Sequence, residues 1–306
     1  MKKINTIFKL TNLRVRILVG LLLVGLLCVQ ITQSFATREK EIEKLVNISE
    51  NQVSTNDVWR LNEIKKLAKT DHLALLKICK KELEKQNYNN YTCVFIKQER
   101  IKGKLSKEQH IDVKFMEDPY SIAMTWTKNA TVGDALVYVD SKFKNSKGRS
   151  QMVVRPENKF LQKITGGSVL RIPDGRDALN KTLRPCTMFG FRNGINSLIE
   201  VYQAAIDNDE CTEKFDGFTK VDGRDCIVLV RFLPKKSYIV DGVKKEYPAK
   251  KTIVCIDIET LMPLRVIGYN WEDKLSCNYE YRNINFNANL QNKDFTPQSN
   301  EIKRDH

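Results

Sequence analysis

His110-Ile111-Asp112-Val113-Lys114-Phe115-Met116 and, just beyond it, Tyr120-Ser121-Ile122-Ala123-Met124-Thr125-Trp126-Thr127 decide the fold of this chain. In the first run Ile111, Val113 and Phe115 alternate with His110, Asp112, Lys114 and Met116. In the second, Tyr120, Ile122, Met124 and Trp126 alternate with Ser121, Ala123, Thr125 and Thr127. A period of two puts each set on one face, the pattern of half-buried strands in an antiparallel sheet. Working outward, a strand starts after Tyr91, and Lys102-Gly103-Lys104 turns it back as a hairpin. Further strands are predicted at 134–140, 150–155, 168–172, 211–220, 225–233, 250–258, 264–271 and 275–286, with turns at Asp222-Gly223 and Thr260 to Pro263.

Two stretches carry a helical period instead. From Val58 to Leu83 the stripe is Leu61, Ile64, Leu67 and Ala68, then Leu76, Cys79 and Leu83 after a break at Thr70-Asp71-His72, where Asp71 suits an N-cap. Over 193–207, Ile195, Leu198, Ile199, Tyr202 and Ile206 recur at helical spacing. Strands therefore follow strands, which excludes a parallel βαβ sheet. The class is α+β: one strongly curved antiparallel sheet with helices covering its concave face. Many strands and few helices leave concave surface to fill, which favours an apolar pocket. Its candidate lining is Phe95, Phe115, Ile122, Met124 and Trp126.

The 306 residues are 42% hydrophobic and 29% charged, which excludes a disordered tail or a fibre. Residues 1–36 hold Lys2, Lys3, Lys9, Arg14 and Arg16 and no acid. Ile17 to Val29 is then continuously apolar apart from glycine, shorter than the ~20 residues of a bilayer span and within the ~7–15 of an export-signal core. Ser34-Phe35-Ala36 supplies small residues for cleavage after Ala36. The reading is a signal peptide over 1–36, or an uncleaved anchor over 17–31. A polar lead-in follows at 37–57, a single domain at 58–297 and a polar tail at 298–306. Either leader places the rest outside the cytoplasm, in the periplasm or cell envelope. Without the five positive charges of the leader the net charge falls from +14 to +9, which reads as a solvated Lys-rich surface or as one that meets anionic membrane rather than nucleic acid.

Beyond Cys28 in the leader, seven cysteines remain: Cys79, Cys93, Cys186, Cys211, Cys226, Cys255 and Cys277. Export permits disulfides, the odd number leaves at least one thiol free or shared between chains, and the pairing stays open. Most suit small buried hydrophobes. No CxxC, HxH, HExxH, GxSxG, GxGxxG or GxxxxGK[ST] pattern occurs, and the histidines are His72, His110 and the terminal His306. Acid pairs such as Glu99 and Asp112 could serve a glycosidase, but arise freely on charged strands. The expectation is a protein that is not an enzyme and takes neither cofactor nor metal.

Tyr91-Thr92-Cys93-Val94-Phe95-Ile96-Lys97-Gln98-Glu99-Arg100-Ile101-Lys102-Gly103-Lys104, then Asp118-Pro119-Tyr120-Ser121-Ile122, Trp126, and Gly133 with Val137-Tyr138, resemble a bacterial family catalogued as domain of unknown function 1571 (DUF1571). The motif positions are Cys93, Glu99, Arg100, Gly103, Pro119, Gly133 and Tyr138, and the likeness runs over roughly residues 70–286, including Met188-Phe189-Gly190 before the second helical stretch. Ile256-Asp257-Ile258-Glu259-Thr260-Leu261-Met262-Pro263-Leu264-Arg265 is similar to a strand-turn-strand of the lipoprotein carrier LolA and its relatives. Tyr279 to Asn287, with Phe295-Thr296-Pro297, is similar to their last strand and ending. That resemblance implies an unclosed half β-barrel covered by helices, in a superfamily whose members carry lipids or lipoprotein acyl chains through the periplasm. The carrier's lid residues have no match in this chain.

Glu99 and Arg100 read as a structural pair or a solvated edge; the other reading is contact with a lipid headgroup or a partner. The chain is thus expected to be an exported binding protein that holds a lipid, a lipoprotein acyl chain or another hydrophobic ligand in its half-barrel. The alternative is a cell-envelope interaction or sensor module on the same fold without a ligand. Its partners would be a hydrophobic ligand or a lipidated protein, with the oligomeric state open.

Overall fold

The computed structural model describes residues 55–86 and 88–304, with side chains from residue 60 onward. The expected leader over 1–36 and nearly all of the lead-in lie outside the described residues. The chain divides after Glu63, and Ile64–His306 is one compact unit.

Helix α1 spans Thr55–Thr70 and α2 His72–Gln86. Asp71 separates them as anticipated: its carboxylate accepts from the Ala74 N–H at 2.8 Å, satisfying one of the free donors at the start of α2. The strands are β1 (Asn90–Ile101), β2 (Lys104–Leu105), β3 (Gln109–Met116), β4 (Ser121–Lys128), β5 (Gly133–Val139), β6 (Met152–Pro156), β7 (Val169–Arg171), β8 (Thr212–Val221), β9 (Arg224–Phe232), β10 (Ser237–Val240), β11 (Val243–Glu246), β12 (Lys251–Asp257), β13 (Pro263–Tyr269) and β14 (Leu275–Asn285). The remaining helices are the short α3 (Lys159–Ile164) and α4 (Arg176–Leu179) and the long α5 (Phe191–Asp207). Lys102 and Gly103 both take positive φ, at 49° and 79°, as the two-residue β1–β2 hairpin requires.

Twelve strands form one antiparallel sheet in the order β7-β6-β5-β4-β3-β1-β14-β13-β12-β9-β8, with β2 added beside β1. The terminal strands β7 and β8 do not pair, so the sheet is an unclosed half-barrel. Its curvature follows from the spacing. From β6 to β9 is eight neighbour steps, roughly 38 Å in a flat sheet. Yet Val154 on β6 and Arg231 on β9 border the same cavity, so the sheet must bend around it. On the concave face one continuous core joins Ile111, Val113, Ile122, Leu229 and Val254 to Ile64 and Ala68 of α1, Leu76 and Cys79 of α2, and Ile195 and Tyr202 of α5.

Three features differ from the sequence expectation. The tail from 298 is docked: Ile302 is buried, with Phe295, against Ala123, Val137 and Val153 on the convex face, and Lys114 Nζ donates to Asn300 Oδ1 at 3.1 Å. A lone isoleucine among polar residues has no period to reveal it. The hairpin β10–β11 has mostly exposed strands and so no alternation to read; its buried Tyr238, stacked on Tyr247 at 5.0 Å, packs with Val201 and Ala205 of α5. The short α3 and α4 bury no side chain.

Candidate functional site

On β1 the odd residues Tyr91, Cys93, Phe95, Lys97 and Glu99 share the concave face, and the register continues that face across the sheet. Along these strands the two ends behave differently. At one end an aromatic plug fills the curve. Tyr91 lies 5.1 Å from Phe115 and 5.2 Å from Phe191, and Phe191 lies 4.5 Å from Tyr281, between ring centroids. Gly190, just before α5, makes the plug possible. Its φ of +103° is a glycine conformation, and a Cβ there would stand 2.8 Å from the Phe115 ring.

Toward the other end the space is not filled. A cavity of about 540 Å³ remains, within the roughly 300–1,000 Å³ typical of small-molecule sites. Phe189, Phe191 and Tyr281 of the plug close one end, and Leu198 and Val201 of α5 form part of its cover. Phe95, Met124 and Trp126 line it, with Ile111, Leu136 and Val154. Phe115 and Ile122, expected as lining, do not reach it: they face each other across β3–β4 inside the plug. Trp126 is oriented by its indole N–H, which donates to Gln109 Oε1 at 2.9 Å.

The cavity reaches the surface beside α3, because Val132, Leu161 and Met188 border it and are 49%, 47% and 40% exposed. Next to that mouth Phe160 and Ile164 stand out into solvent on a helix that also carries Lys159 and Lys163.

A polar row crosses the other end of the concave face. The register runs Glu99–Cys277–Gly268–Thr252–Arg231–Glu213 over six adjacent strands. Glu99 is buried and held by its neighbours: Tyr279 Oη donates to it at 2.6 Å, Thr182 Oγ1 at 3.1 Å and Lys97 Nζ at 3.1 Å. Burial, and then the Glu99 charge, push the Tyr279 hydroxyl well above its ordinary range, so it stays a donor. The expected Glu99–Arg100 pair or solvated edge is therefore corrected. Adjacent strand residues face opposite sides, and Arg100 instead donates to the carbonyls of Leu275 (2.8 Å) and Gly103 (2.9 Å).

Of the other motif positions, Cys93 is in the core, and burial raises its thiol pKa. Pro119 follows a cis peptide bond. Gly133 borders the cavity, where a Cβ would stand 2.6 Å from Val154. Tyr138 is buried and donates to Asp140 Oδ1 at 3.2 Å. All seven described cysteines are free thiols. Two of them border the cavity, Cys186 and Cys277, and burial lifts their pKa values to about 12 and about 11.

Sequence reasoning passed over Arg231, although a charge inside the apolar run Cys226-Ile227-Val228-Leu229-Val230 is a readable signal. Its side chain is 2% exposed, its guanidinium lies 4.4 Å from the Tyr202 ring centroid, and Nη2 donates to Thr252 Oγ1 at 3.3 Å. Among the described residues no His, Cys, Asp and Glu side chains group to hold a metal ion, and no helix is long and apolar enough to cross a membrane.

The family model described as a protein of unknown function (DUF1571) matches residues 88–303. No curated protein matches the chain. Similar solved structures include a DUF1329 family protein from Desulfovibrio piger, 14% identical over 74% of this chain and 97% of that one, with a TM-score of 0.35. A LolA superfamily protein from Nitrosomonas europaea is 9% identical over 74% and 97% of the two chains, with a TM-score of 0.30. The lipoprotein LppX from Mycobacterium tuberculosis is 12% identical over 71% and 98%, with a TM-score of 0.38.

Proposed function

We propose, for a chain that belongs to the DUF1571 family, an exported binding protein that holds one apolar chain, of a lipid or of a lipidated protein, inside the half-barrel. The observation that carries this reading is the cavity of about 540 Å³ between the sheet and α5, lined by Phe95, Ile111, Met124, Trp126, Leu136 and Val154. Its wall is preformed by backbone pairing. A chain entering it leaves water without reordering the sheet, and each buried methylene contributes about 0.8 kcal/mol. The leader over residues 1–36 supports export.

The chemistry of the wall favours holding over turnover. Lys97, Glu99, Thr182 and Tyr279 hydrogen-bond one another, so none is poised as a free acid or base. The raised pKa values of Cys186 and Cys277 keep both as thiols rather than nucleophilic thiolates. At the mouth, exposed Phe160 and Ile164 with Lys159 and Lys163 fit an anionic membrane surface, from which an apolar chain could be taken without crossing water.

The test is native mass spectrometry of residues 37–306, secreted to the periplasm and purified without detergent, together with uptake of a fluorescent fatty acid. The expected result is one acyl-bearing ligand per chain and saturable uptake that a Met124→Trp substitution, narrowing the cavity, weakens. A protein that carries no acyl species and takes up no probe overturns the reading in favour of an interaction module.

A further inference from the structure

Arg231 sits where an apolar side chain would be ordinary. It lies near the end of β9, after Ile227 and Leu229 on the same face, and it borders the cavity with Val201, Thr252 and Gly268. A buried guanidinium is normally matched by a carboxylate in two parallel hydrogen bonds, because desolvating the charge alone costs several kcal/mol. Here Nη2 has only the Thr252 hydroxyl, and Nε and Nη1 are buried without any hydrogen-bond partner.

Among the described residues no carboxylate forms an ion pair with Arg231, although its charge acts on Glu213. Glu213 faces Arg231 across the β8–β9 ladder, but its Oε2 accepts from the His72 backbone N–H at 3.2 Å and its Oε1 has no partner. Of the other titratable groups nearby, His72 has its pKa lowered by burial and supplies no anion; the acids among them are Tyr202, Cys211, Tyr238 and Tyr247. Burial raises the pKa of each of these four, with Cys211 at about 11 and Tyr238 and Tyr247 at about 12, so none is anionic at neutral pH. The site has a cation, a hydroxyl and space. Gly268, two strands over in the same row, also borders the cavity, with Cys277 Sγ where its Cβ would stand.

We propose that Arg231, with Thr252, anchors the anionic head of a single-chain amphiphile, a carboxylate or a phosphate, whose apolar tail runs along the cavity toward the mouth beside α3. This rests on the ligand-holding reading above and narrows it. Nε and Nη1 lie on different edges of the guanidinium and each shares its edge with Nη2, so two oxygens of such a head accept from one of them and from Nη2 in parallel, the planar match for which arginine is suited and lysine is not. The tail then follows the apolar wall formed by Met124, Leu136 and Val154.

The experiment compares binding of cis-9-octadecenoate, the alkyl phosphate of equal chain length and the corresponding alcohol at neutral pH, by displacement of a fluorescent fatty acid ester. The wild-type protein is expected to bind one or both anionic ligands ~10–100-fold more tightly than the alcohol. Which of them is preferred distinguishes carboxylate from phosphate. Arg231→Met is expected to reduce that preference to about one while leaving alcohol affinity within a few-fold. Arg231→Lys keeps the charge without the fork and is expected to retain only part of the preference. Equal wild-type affinity for alcohol and anions overturns the anchor, and this needs no variant to fold. Failure of all three ligands to bind overturns the ligand-holding reading itself.

Discussion

Acidification should destabilise the Ile64–His306 unit through one side chain, His72. The imidazole is 1% exposed at the start of α2, with Nδ1 3.1 Å from the Tyr202 hydroxyl and Nε2 2.9 Å from the Ala68 carbonyl. These partners suit the neutral ring that donates from Nε2 and accepts at Nδ1. Burial, the largest influence, lowers its pKa from 6.5 to about 4; the Arg231 charge acts in the same direction, while the Ala68 hydrogen bond and Asp71 oppose it. Between those two values the unfolded chain binds a proton that the folded chain refuses. The stabilisation is therefore complete above the unfolded pKa and is lost as pH falls toward the folded one. The loss amounts to about 2 kcal/mol between ~pH 7.5 and ~pH 5, and about 3 kcal/mol by ~pH 4. Glu117 and Glu213, raised chiefly by burial, act in the opposite direction. The contrast must therefore be made against a variant that keeps them. Urea unfolding followed by tryptophan fluorescence, for wild type and His72→Gln across this range, measures it. The variant should be less stable at neutral pH and lose about 2 kcal/mol less on acidification to ~pH 5. Equal pH slopes in the two proteins, or a His72 titration by NMR near the ordinary histidine value, would refute the account.

Gly190→Ala places a Cβ against Phe115 at a backbone conformation reserved for glycine, and should lower the stability found by urea unfolding by about 3 kcal/mol. Glu99→Ala strands Lys97 beside the cavity and should cost about 3–5 kcal/mol, whereas Lys97→Met with Glu99→Leu removes both charges and should restore most of it; thermal unfolding of the three proteins decides. Replacing Phe160 and Ile164 together by serine should weaken co-sedimentation with anionic vesicles by at least ~10-fold while leaving fatty-acid uptake unchanged.

The alternation in β3 and β4 identified the sheet, its antiparallel sense and the face that turns inward, because period alone determines which side a residue takes. It could not say how far along a strand the filled region stops. Phe115 and Met124 share a face on neighbouring strands, and only the docking of Phe189 and Phe191, some seventy residues away, puts one in the plug and leaves the other beside the cavity. The misreading of Glu99 has the same origin. A carboxylate in a hairpin strand looks solvated until Thr182 and Tyr279 arrive from elsewhere in the chain to receive it. Arg231 was legible and passed over: its position in an apolar run marks it as a residue with a specific duty.

The unpaired ends of the sheet bear on how such an arc changes its width. A closed barrel has its girth set by strand number and stagger, so admitting a thicker guest means breaking backbone hydrogen bonds. An arc ending at the three-residue β7 and at β8, which bulges between Phe215 and Phe218, can widen by bending alone, every ladder intact. The shortness of β7 and the bulge of β8, with Lys214, Asp216 and Lys220 along it, also deny other chains a straight edge to extend. The opening that makes the half-barrel adjustable is thereby kept from becoming a seam for aggregation.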